Sequence, residues 1–387
     1  MEFLPFFVLV AAAVIFSAIF DKFHLPWVLA LVVSGMFLGK HGIGLLEIDP
    51  TISFMGNIGL VLLMFMAGLQ VKFSSFKQFS FNVLRFSLIN GIIPAMVGFF
   101  IGYFLGFGLI VSVLLSAVFM SSAVAVIIPT LEAGGVMKNK LGRTIVPAVI
   151  ISDIASLLVL SLVLQIEVVN NTLPLPSFYL LLFLILIGFR YALPKIRGLF
   201  PVRRDEVDLF ESEVRIVIAM LLGTVITFAA IGLHPIVAGF FVGVILSDTI
   251  NSKILIDKLR TISYGIFIPI LFIIIGAETN FIVFWSEPDA LLLALILLMG
   301  SFGAKLFSGY YAASLGGFNH RDSLIAGAST VPRLSTGLAV VLTAIELQLM
   351  PETLMGALVV LSVITTLGAP VFLRYVFDNP ELLKNHQ

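Results

Sequence analysis

The feature that most constrains this chain of 387 residues is the series of apolar segments that runs through it. A helix that crosses a bilayer needs about 20 mainly apolar residues. Thirteen segments approach or reach that length, so we predict an all-α membrane protein with 13 transmembrane helices. The predicted spans, numbered in chain order, are 3–20, 25–39, 51–70, 82–105, 108–131, 143–166, 174–194, 212–232, 234–250, 262–276, 287–313, 321–347 and 352–376.

The composition agrees with a membrane protein and excludes several functions. The chain is 60% apolar and 11% charged, and its mean hydropathy is +1.15. Its formal net charge is zero, so it lacks the basic character of a nucleic-acid-binding protein. It has no cysteine, which excludes disulfides and thiolate metal sites. It has no phosphate-binding glycine motif, so we expect an ion gradient rather than a nucleotide to supply its energy.

Basic residues in the predicted loops segregate to one side of the membrane. The loops on one side carry many of them, from Lys22 to Lys384, whereas those on the other side carry only Lys40. Cytoplasmic loops are enriched in Lys and Arg, so the basic side is predicted to be cytoplasmic, with the N-terminus outside and the C-terminus inside. The first segment lacks the basic start and the cleavage site of a signal peptide, so we expect it to be retained as a helix.

The two halves of the chain resemble each other at an offset of about 208 residues. "HLPWVLALVVSGMFLGK" (24–40) resembles "GLHPIVAGFFVGVILSD" (232–248), and "MAGLQVKF" (66–73) resembles "IIGAETNF" (274–281). Spans 1–6 and 8–13 then form two six-helix repeats, with span 7 between them. Because span 7 adds one crossing, the second repeat begins on the opposite side. This inverted topology is typical of secondary transporters.

Spans 5 and 12, which correspond in the two repeats, carry the same pattern of hydroxyl groups and proline. The residues are Ser121, Ser122 and Pro129 in span 5, and Ser329, Thr330 and Pro332, followed by Ser335, in span 12. A single proline commonly only kinks a membrane helix. Proline removes a backbone donor and clashes with the preceding turn, and its recurrence at related positions favours two helices interrupted at Pro129 and Pro332. Their freed carbonyls and helix ends would offer partial charges to an ion.

Three ionisable residues lie well inside the predicted spans, namely Asp153, Lys305 and Arg333. A charge at this depth costs roughly 2.5–3.5 kcal/mol and usually faces the protein interior in a functional role. The alternative for each is a buried ion pair that only fixes helix packing. Burial disfavours an ionised carboxylate and nearby cations favour it, so a proton and an alkali cation can compete for Asp153.

Asp153 therefore has the chemistry of a shared cation and proton site. Oxygen ligands suit alkali cations, and Ser152, Ser121 and Ser122 could complete the ligand set around Na⁺ or K⁺. Enzymatic readings are disfavoured. An intramembrane aspartyl protease needs two embedded aspartates, a serine protease needs a buried histidine, and all histidines lie at or beyond the ends of the spans. We predict no enzymatic activity and no cofactor.

These features resemble the monovalent cation:proton antiporters, in particular the cation:proton antiporter-2 branch. The resemblance covers essentially the whole chain and rests on these landmarks: "GLVLLMFMAGLQVKF" (59–73), "SSAVAVIIPTL" (121–131), "VIISDIAS" (149–156), Lys305 and "GASTVPRLSTGLAV" (327–340). It implies that Asp153 binds the transported cation or proton and that Lys305 and Arg333 tune the charge of the site.

Two positions depart from the family pattern. The residue before Asp153, which is acidic, Asn or Gln in the family, is Ser152, and the glutamate that follows the Pro-Arg pair in many members is absent. In members with two acids the first one pairs with the lysine. Here Lys305 would instead pair with Asp153, be neutral, or have another acceptor.

The resemblance also implies the sodium/proton antiporter fold, with crossed discontinuous helices, in the cytoplasmic membrane as a homodimer. A dimer scaffold would comprise 1–81 and 212–286, and an ion-transport core would comprise 82–166 and 287–376. A linker helix and cytoplasmic loop would occupy 167–211, and a short cytoplasmic tail 377–387. The core would move as an elevator against the scaffold.

The predicted function is exchange of Na⁺, or alternatively K⁺, for H⁺. One carboxylate that alternates between the two ions predicts one-for-one, electroneutral exchange, unless Lys305 also gains and loses a proton. Because Lys305 and Arg333 outnumber Asp153, an anion or organic-acid carrier on the same scaffold is an alternative. The missing acids also motivate a non-transporting sensor or degenerate subunit.

Overall fold

A computed structural model of the chain describes residues 4–22, 27–70, 80–167, 211–230, 235–247, 250, 252–333 and 335–378, with isolated positions between 184 and 195. Within these helices a few side chains, including those of Pro129 and Ser335, are not described. Predicted span 7 (174–194) and the loop after it lie almost entirely outside the described residues.

All regular structure in the described residues is helical. The first half contains α1 (Leu4–Lys22), α2 (Trp27–Leu38), α3 (Pro50–Leu69), α4 (Phe81–Phe104), α5 (Gly108–Met120), α6 (Val124–Ala133) and α7 (Lys140–Glu167). The second half contains α8 (Ser212–Ala230), α9 (Pro235–Ser247), α10 (Lys253–Ile262), a π-helical turn (Ser263–Phe267), α11 (Ile268–Glu278), α12 (Val283–Ser286), α13 (Pro288–Leu315), α14 (His320–Ser329), α15 (Ser335–Glu346) and α16 (Glu352–Asp378).

Eight helical segments among the described residues are long and apolar enough to cross a bilayer. Three shorter apolar helices, α2, α5 and α9, accompany them. One predicted boundary is wrong. The helical segment that contains predicted span 10 begins at Lys253 rather than at residue 262. Its first turns, in α10, bury Leu255 and Leu259 on one face and carry charged residues on the other, which lowers their mean hydropathy.

The described contacts divide the chain into two compact units. The first comprises Met1–Val10, Ile48–Gln78 and Leu164–Phe272, and the second comprises Ala11–Glu47, Phe79–Val163 and Ile273–Gln387. The apolar core of the second unit draws on α4, α6, α7, α13, α14 and α16. The scaffold and core boundaries expected from the sequence differ from this division and stay a prediction.

In the first unit, α3 and α9 pack at close range through two glycines. A Cβ atom on Gly68 of α3 would fall on the carbonyl oxygen of Phe240, and one on Gly243 of α9 would fall on that of Phe65. Only glycine allows the two backbones to approach so closely.

The second unit contains an equivalent close contact between α2 and α11. A Cβ atom on Gly35 would fall on the carbonyl oxygen of Ile273, and one on Gly276 would fall on that of Val32. Gly276 lies 208 residues after Gly68, and Gly243 lies 208 residues after Gly35. The two contacts are therefore related by the offset that relates the two halves of the sequence.

Candidate functional site

The first interruption separates α5 from α6, the two parts of predicted span 5. Ser121 and Ala123 have extended backbone conformations, and α6 begins at Val124. Pro129 lies inside α6, so the prediction that it marks the break is wrong. Ser121 Oγ instead donates a hydrogen bond to the carbonyl of Val118 (3.0 Å). Serine hydroxyls compete with helical hydrogen bonding in this way, so the hydroxyl pair accounts for the position of the break better than the proline does.

The second interruption separates α14 from α15 within predicted span 12. Helix α14 ends at Ser329, α15 begins at Ser335, and Pro332 lies between them. Ser329 Oγ donates to the carbonyl of Ala326 (3.0 Å). Thr330 Oγ1 donates to the carbonyl of Gly327 (2.9 Å). The side chain of Ser335 lies outside the described residues, so its predicted role stays a prediction.

The two interruptions are hydrogen-bonded to each other inside the second unit. The backbone N–H of Ala123 donates to the carbonyl of Pro332 (2.7 Å). The hydroxyl of Ser122 donates to the carbonyl of Thr330 (2.8 Å). Backbone groups that leave a helix inside a membrane protein need partners of this kind, because lipid provides none.

Two cationic side chains bond to the last two carbonyl groups of α5. Lys305 Nζ, from α13, donates to the carbonyl of Met120 (2.6 Å), and Arg333 Nη2 donates to the carbonyl of Phe119 (2.7 Å). The guanidinium also lies over the ring of Phe119, 4.8 Å from its centroid. The C-terminal end of a helix carries partial negative charge, which stabilises cations placed there.

The two preceding carbonyl groups of α5 are satisfied by hydroxyl and amide groups. The carbonyl of Ala117 accepts from Ser121 N (3.2 Å) and from Ser156 Oγ of α7 (2.7 Å), and that of Val118 accepts from Ser121 Oγ. All four terminal carbonyls of α5, the groups that a helix end leaves unpaired, therefore have partners.

The ammonium group of Lys305 has three acceptors. Besides the carbonyl of Met120, it donates to the side-chain oxygen and the backbone oxygen of Asn90, both at 3.2 Å. An ammonium has three N–H donors, so these acceptors satisfy it. Of the possibilities left open by the sequence, the structure shows that Lys305 has another acceptor. Its charge also interacts electrostatically with Asp153 and Arg333.

Asn90 of α4 is a site residue that the sequence analysis missed. Its side-chain nitrogen donates to Ser308 Oγ and to Thr330 Oγ1, both at 3.1 Å, while its oxygen accepts from Lys305. It is 1% exposed. A search restricted to ionisable residues passes over it, although a carboxamide near the middle of an apolar span is itself a polar group that needs partners there.

Asp153 is the only acidic residue among the buried side chains that the structure describes. It lies on α7, and the residues around it tie that helix to the site. Asp153 keeps 8% of its surface exposed, whereas Lys305 and Arg333 are both 0% exposed. Of these three buried charged residues, only Asp153 keeps any exposed surface.

The hydroxyl of Ser152 lies against α4. It is 3.3 Å from both the hydroxyl and the carbonyl oxygen of Ser87, and 3.1 Å from the carbonyl oxygen of Ala148. The hydroxyls of Ser121 and Ser122 likewise donate to carbonyl groups. A hydroxyl that donates its proton still has oxygen lone pairs, so these groups remain chemically able to be cation ligands.

Arg333 keeps two donor groups without a partner among the described residues. Its Nε and Nη1 atoms are buried and make no hydrogen bond there. The sequence also lacks the glutamate that follows the Pro-Arg pair in many members of the resembled family. In the described part of the chain, no group of three or more His, Cys, Asp or Glu side chains could hold a metal ion.

The chain is similar to known proteins over nearly its whole length. Residues 8–378 match the family model of the transmembrane sodium/hydrogen exchangers. The chain is 32% identical over 381 residues to a probable Na⁺/H⁺ antiporter 3 of Methanocaldococcus jannaschii, covering 96% of each. It is 27% identical to a Na⁺/H⁺ antiporter of Enterococcus hirae, covering 97% of this chain and 98% of that one. It is 25% identical to the Na⁺/H⁺-K⁺ antiporter GerN of Bacillus cereus, covering 91% and 90%.

The fold also matches a solved structure. The sodium proton antiporter MjNhaP1 of Methanocaldococcus jannaschii superimposes with a TM-score of 0.64 over 97% of this chain and 95% of that chain. The sequence identity is only 15%, so this likeness concerns the fold alone.

Proposed function

Because the chain belongs to the sodium/hydrogen exchanger family, we propose that it exchanges Na⁺ for H⁺ across the membrane by alternate binding of the two ions to Asp153. The resemblance to monovalent cation:proton antiporters that the sequence predicts is confirmed, and the relatives are transporters rather than enzymes. The relatives are named for Na⁺ and H⁺, and we propose the same two ions for this chain.

One observation carries the choice of Asp153. Among the three buried charged residues that the structure describes, only Asp153 keeps exposed surface, while Lys305 and Arg333 are fully buried and bonded to carbonyl groups of α5. The cations therefore set the local charge, and Asp153 is the group at which ions from solution can exchange.

The chemistry of exchange follows from competition for one carboxylate. The charge of Lys305 favours the ionised carboxylate, burial disfavours it, and either H⁺ or Na⁺ relieves that burial cost. Ser121, Ser122 and Ser152 are the proposed additional oxygen ligands. Each bound ion adds one positive charge to the same group, so exchange of one for the other moves no net charge.

Potassium is the alternative substrate. The same oxygen ligands suit Na⁺ and K⁺, and one relative is named as a Na⁺/H⁺-K⁺ antiporter. An anion carrier is less favoured, because three acceptors already satisfy the ammonium of Lys305 and one carbonyl engages the guanidinium of Arg333.

The mechanism that we propose is an elevator, in a homodimer in the cytoplasmic membrane with its N-terminus outside. It is supported by the position of the site. All the site residues, from Asn90 to Arg333, lie within one compact unit and within the predicted core segments 82–166 and 287–376.

Since the chain has no cysteine, a single Ser122→Cys variant can test alternating access. A membrane-impermeant maleimide should label it from either side, and labelling from one side only under all ion conditions would contradict the elevator.

The central experiment measures dissipation of an imposed pH gradient in proteoliposomes with Na⁺, K⁺, Li⁺ or choline outside. Wild type should respond to Na⁺, and Asp153→Asn should reduce the rate at least about 100-fold, because the amide can neither release a proton nor supply a charged ligand. Ser161→Ala, roughly two turns further along α7, is the matched control and should transport like wild type.

The outcomes separate the candidate functions. An anion or organic-acid carrier would keep activity in Asp153→Asn, and a sensor or degenerate subunit would dissipate no gradient with any cation. Electroneutral exchange should proceed at the same rate with and without an imposed membrane potential. Exchange driven by voltage alone, without a cation gradient, would contradict the one-for-one stoichiometry.

A further inference from the structure

We propose that Asn90 is a positioning residue for exchange, which holds Lys305 as a permanent cation so that only Asp153 changes its charge during the cycle. This inference rests on the proposed function. It assigns a role to a neutral side chain on α4, a helix on which the sequence analysis identified no site residue.

Asn90 contacts Lys305, the helix that carries Lys305, and the second interruption. Its side-chain oxygen and backbone oxygen both accept from the ammonium at 3.2 Å. Its side-chain nitrogen is held by Ser308 on α13, one turn from Lys305, and by Thr330 at the second interruption. Because both ends of the amide are engaged, its oxygen is fixed toward the ammonium.

Because position 152 carries no acid, Lys305 lacks the acidic partner found in family members with two acids, and the amide of Asn90 is an acceptor in its place. Position 152 carries serine, whose hydroxyl lies against Ser87 and Ala148. The structure gives Lys305 a full set of three acceptors from neutral groups, two of them on Asn90 and the third on Met120. Acceptors that bond to a charged group favour its charged form. Burial and the charge of Arg333 act against the charge on Lys305, whereas the charge of Asp153 supports it. The two oxygens of Asn90 add to that support without adding a second acid to the site.

The consequence for transport is a division of roles. A lysine that keeps its proton contributes a constant positive charge beside Asp153, with which it interacts electrostatically. The number of charges moved per cycle is then set by Asp153 alone. A lysine that lost its proton during the cycle would move a second charge and make exchange sensitive to voltage.

Two substitutions test this role in opposite ways. Asn90→Asp keeps the shape of the side chain and adds a negative charge beside Lys305, which weakens the positive field at Asp153. Asp153 then retains its proton to higher pH, and the midpoint of the pH–rate profile should rise by about one unit. Asn90→Leu removes the acceptor, so Lys305 should release its proton during the cycle. An imposed potential of about 100 mV should then change the initial rate several-fold.

The assays use the full chain in proteoliposomes, with Ser301→Ala as the matched control. Ser301 lies one turn before Lys305 on α13, is buried, and its hydroxyl makes no hydrogen bond among the described residues. The pH profile and voltage response of Ser301→Ala should therefore equal those of wild type. A purely structural Asn90 would lower the rate at every pH and shift neither property. If Asn90→Leu does not fold, the nearly isosteric Asn90→Asp decides the question by its pH profile.

The result for wild type separates this inference from the proposed function. If wild type shows no Na⁺-dependent dissipation of the pH gradient, the proposed function fails and this inference falls with it. If wild type exchanges Na⁺ for H⁺ but Asn90→Asp keeps the wild-type pH profile, only the role of Asn90 is overturned. A voltage-independent Asn90→Leu that transports normally would overturn it as well.

Discussion

The two helix interruptions occupy related positions in the sequence, yet their freed carbonyl groups are satisfied by different chemistry. At the end of α5, Lys305 and Arg333 donate to the carbonyls of Met120 and Phe119. After α14, the carbonyls of Thr330, Pro332 and Arg333 accept from a hydroxyl, a backbone amide and a second hydroxyl, respectively. Cationic side chains therefore donate to the carbonyls at the end of α5, whereas only neutral groups donate to these carbonyls after α14.

This difference shows how a repeated architecture acquires one functional site. Both cations come from the second half of the chain, and both bond to a helix end from the first half. The repeated hydroxyl pairs make both interruptions possible, whereas the charge is placed at only one. We therefore expect the loss of a cationic donor to α5 to affect transport, and the loss of a neutral donor to the carbonyls after α14 to affect mainly stability.

Among the substitutions that test this difference, Lys305→Met should have the largest effect, because it removes a cation that donates to the end of α5. It leaves the carbonyl of Met120 and the oxygen of Asn90 without this donor, at a cost of about 1–3 kcal/mol for each unsatisfied group. It also removes the positive charge beside Asp153. The exchange rate in proteoliposomes should fall at least about tenfold, or about 1.4 kcal/mol in activation free energy. Lys138→Met, between α6 and α7, is the control. A wild-type exchange rate in Lys305→Met would show that this cation is not needed for transport.

A smaller effect is expected for Ser122→Ala, which removes the hydrogen bond that joins the two interruptions through the carbonyl of Thr330. One neutral hydrogen bond contributes about 1 kcal/mol, so the melting temperature in detergent should fall by a few degrees. The loss of one proposed oxygen ligand should raise the apparent KM for Na⁺ only a few-fold. A loss of exchange as large as that of Lys305→Met would show that the neutral contact matters as much as the cations.

The smallest effect is expected for Thr366→Val, at the second interruption. Thr366 Oγ1 donates to the backbone carbonyl of Arg333 (3.0 Å), and valine preserves the shape while removing the donor. The cost should be about 1 kcal/mol or less in the free energy of unfolding, with an unchanged Na⁺ dependence. Thermal unfolding and the Na⁺ titration measure the two quantities separately. A changed KM for Na⁺ would mean that the second interruption also tunes the site.

The sequence predicts the elements of this site better than their contacts. Hydropathy identifies the apolar segments, and the intramembrane charges identify Asp153, Lys305 and Arg333, because both signals are local. The proline pattern predicts the first break at Pro129, but α6 continues through that residue, because a membrane helix tolerates proline when tertiary contacts compensate. The partners of Lys305 could not be predicted, because Asn90 and Met120 lie 215 and 185 residues away from it in sequence.

The glycine contacts have a consequence for how the protein is made. The third helix of the first half, α3, packs on α9 of the second half, and α2 packs on α11 in the same reciprocal manner. Neither half of the chain contains both partners of either contact. During synthesis, α2 and α3 lie in the bilayer without these neighbours until residues 235–278 have been synthesised. Assembly of each unit is therefore completed late, after most of the chain has been inserted, and a chain truncated at its midpoint would lack both contacts.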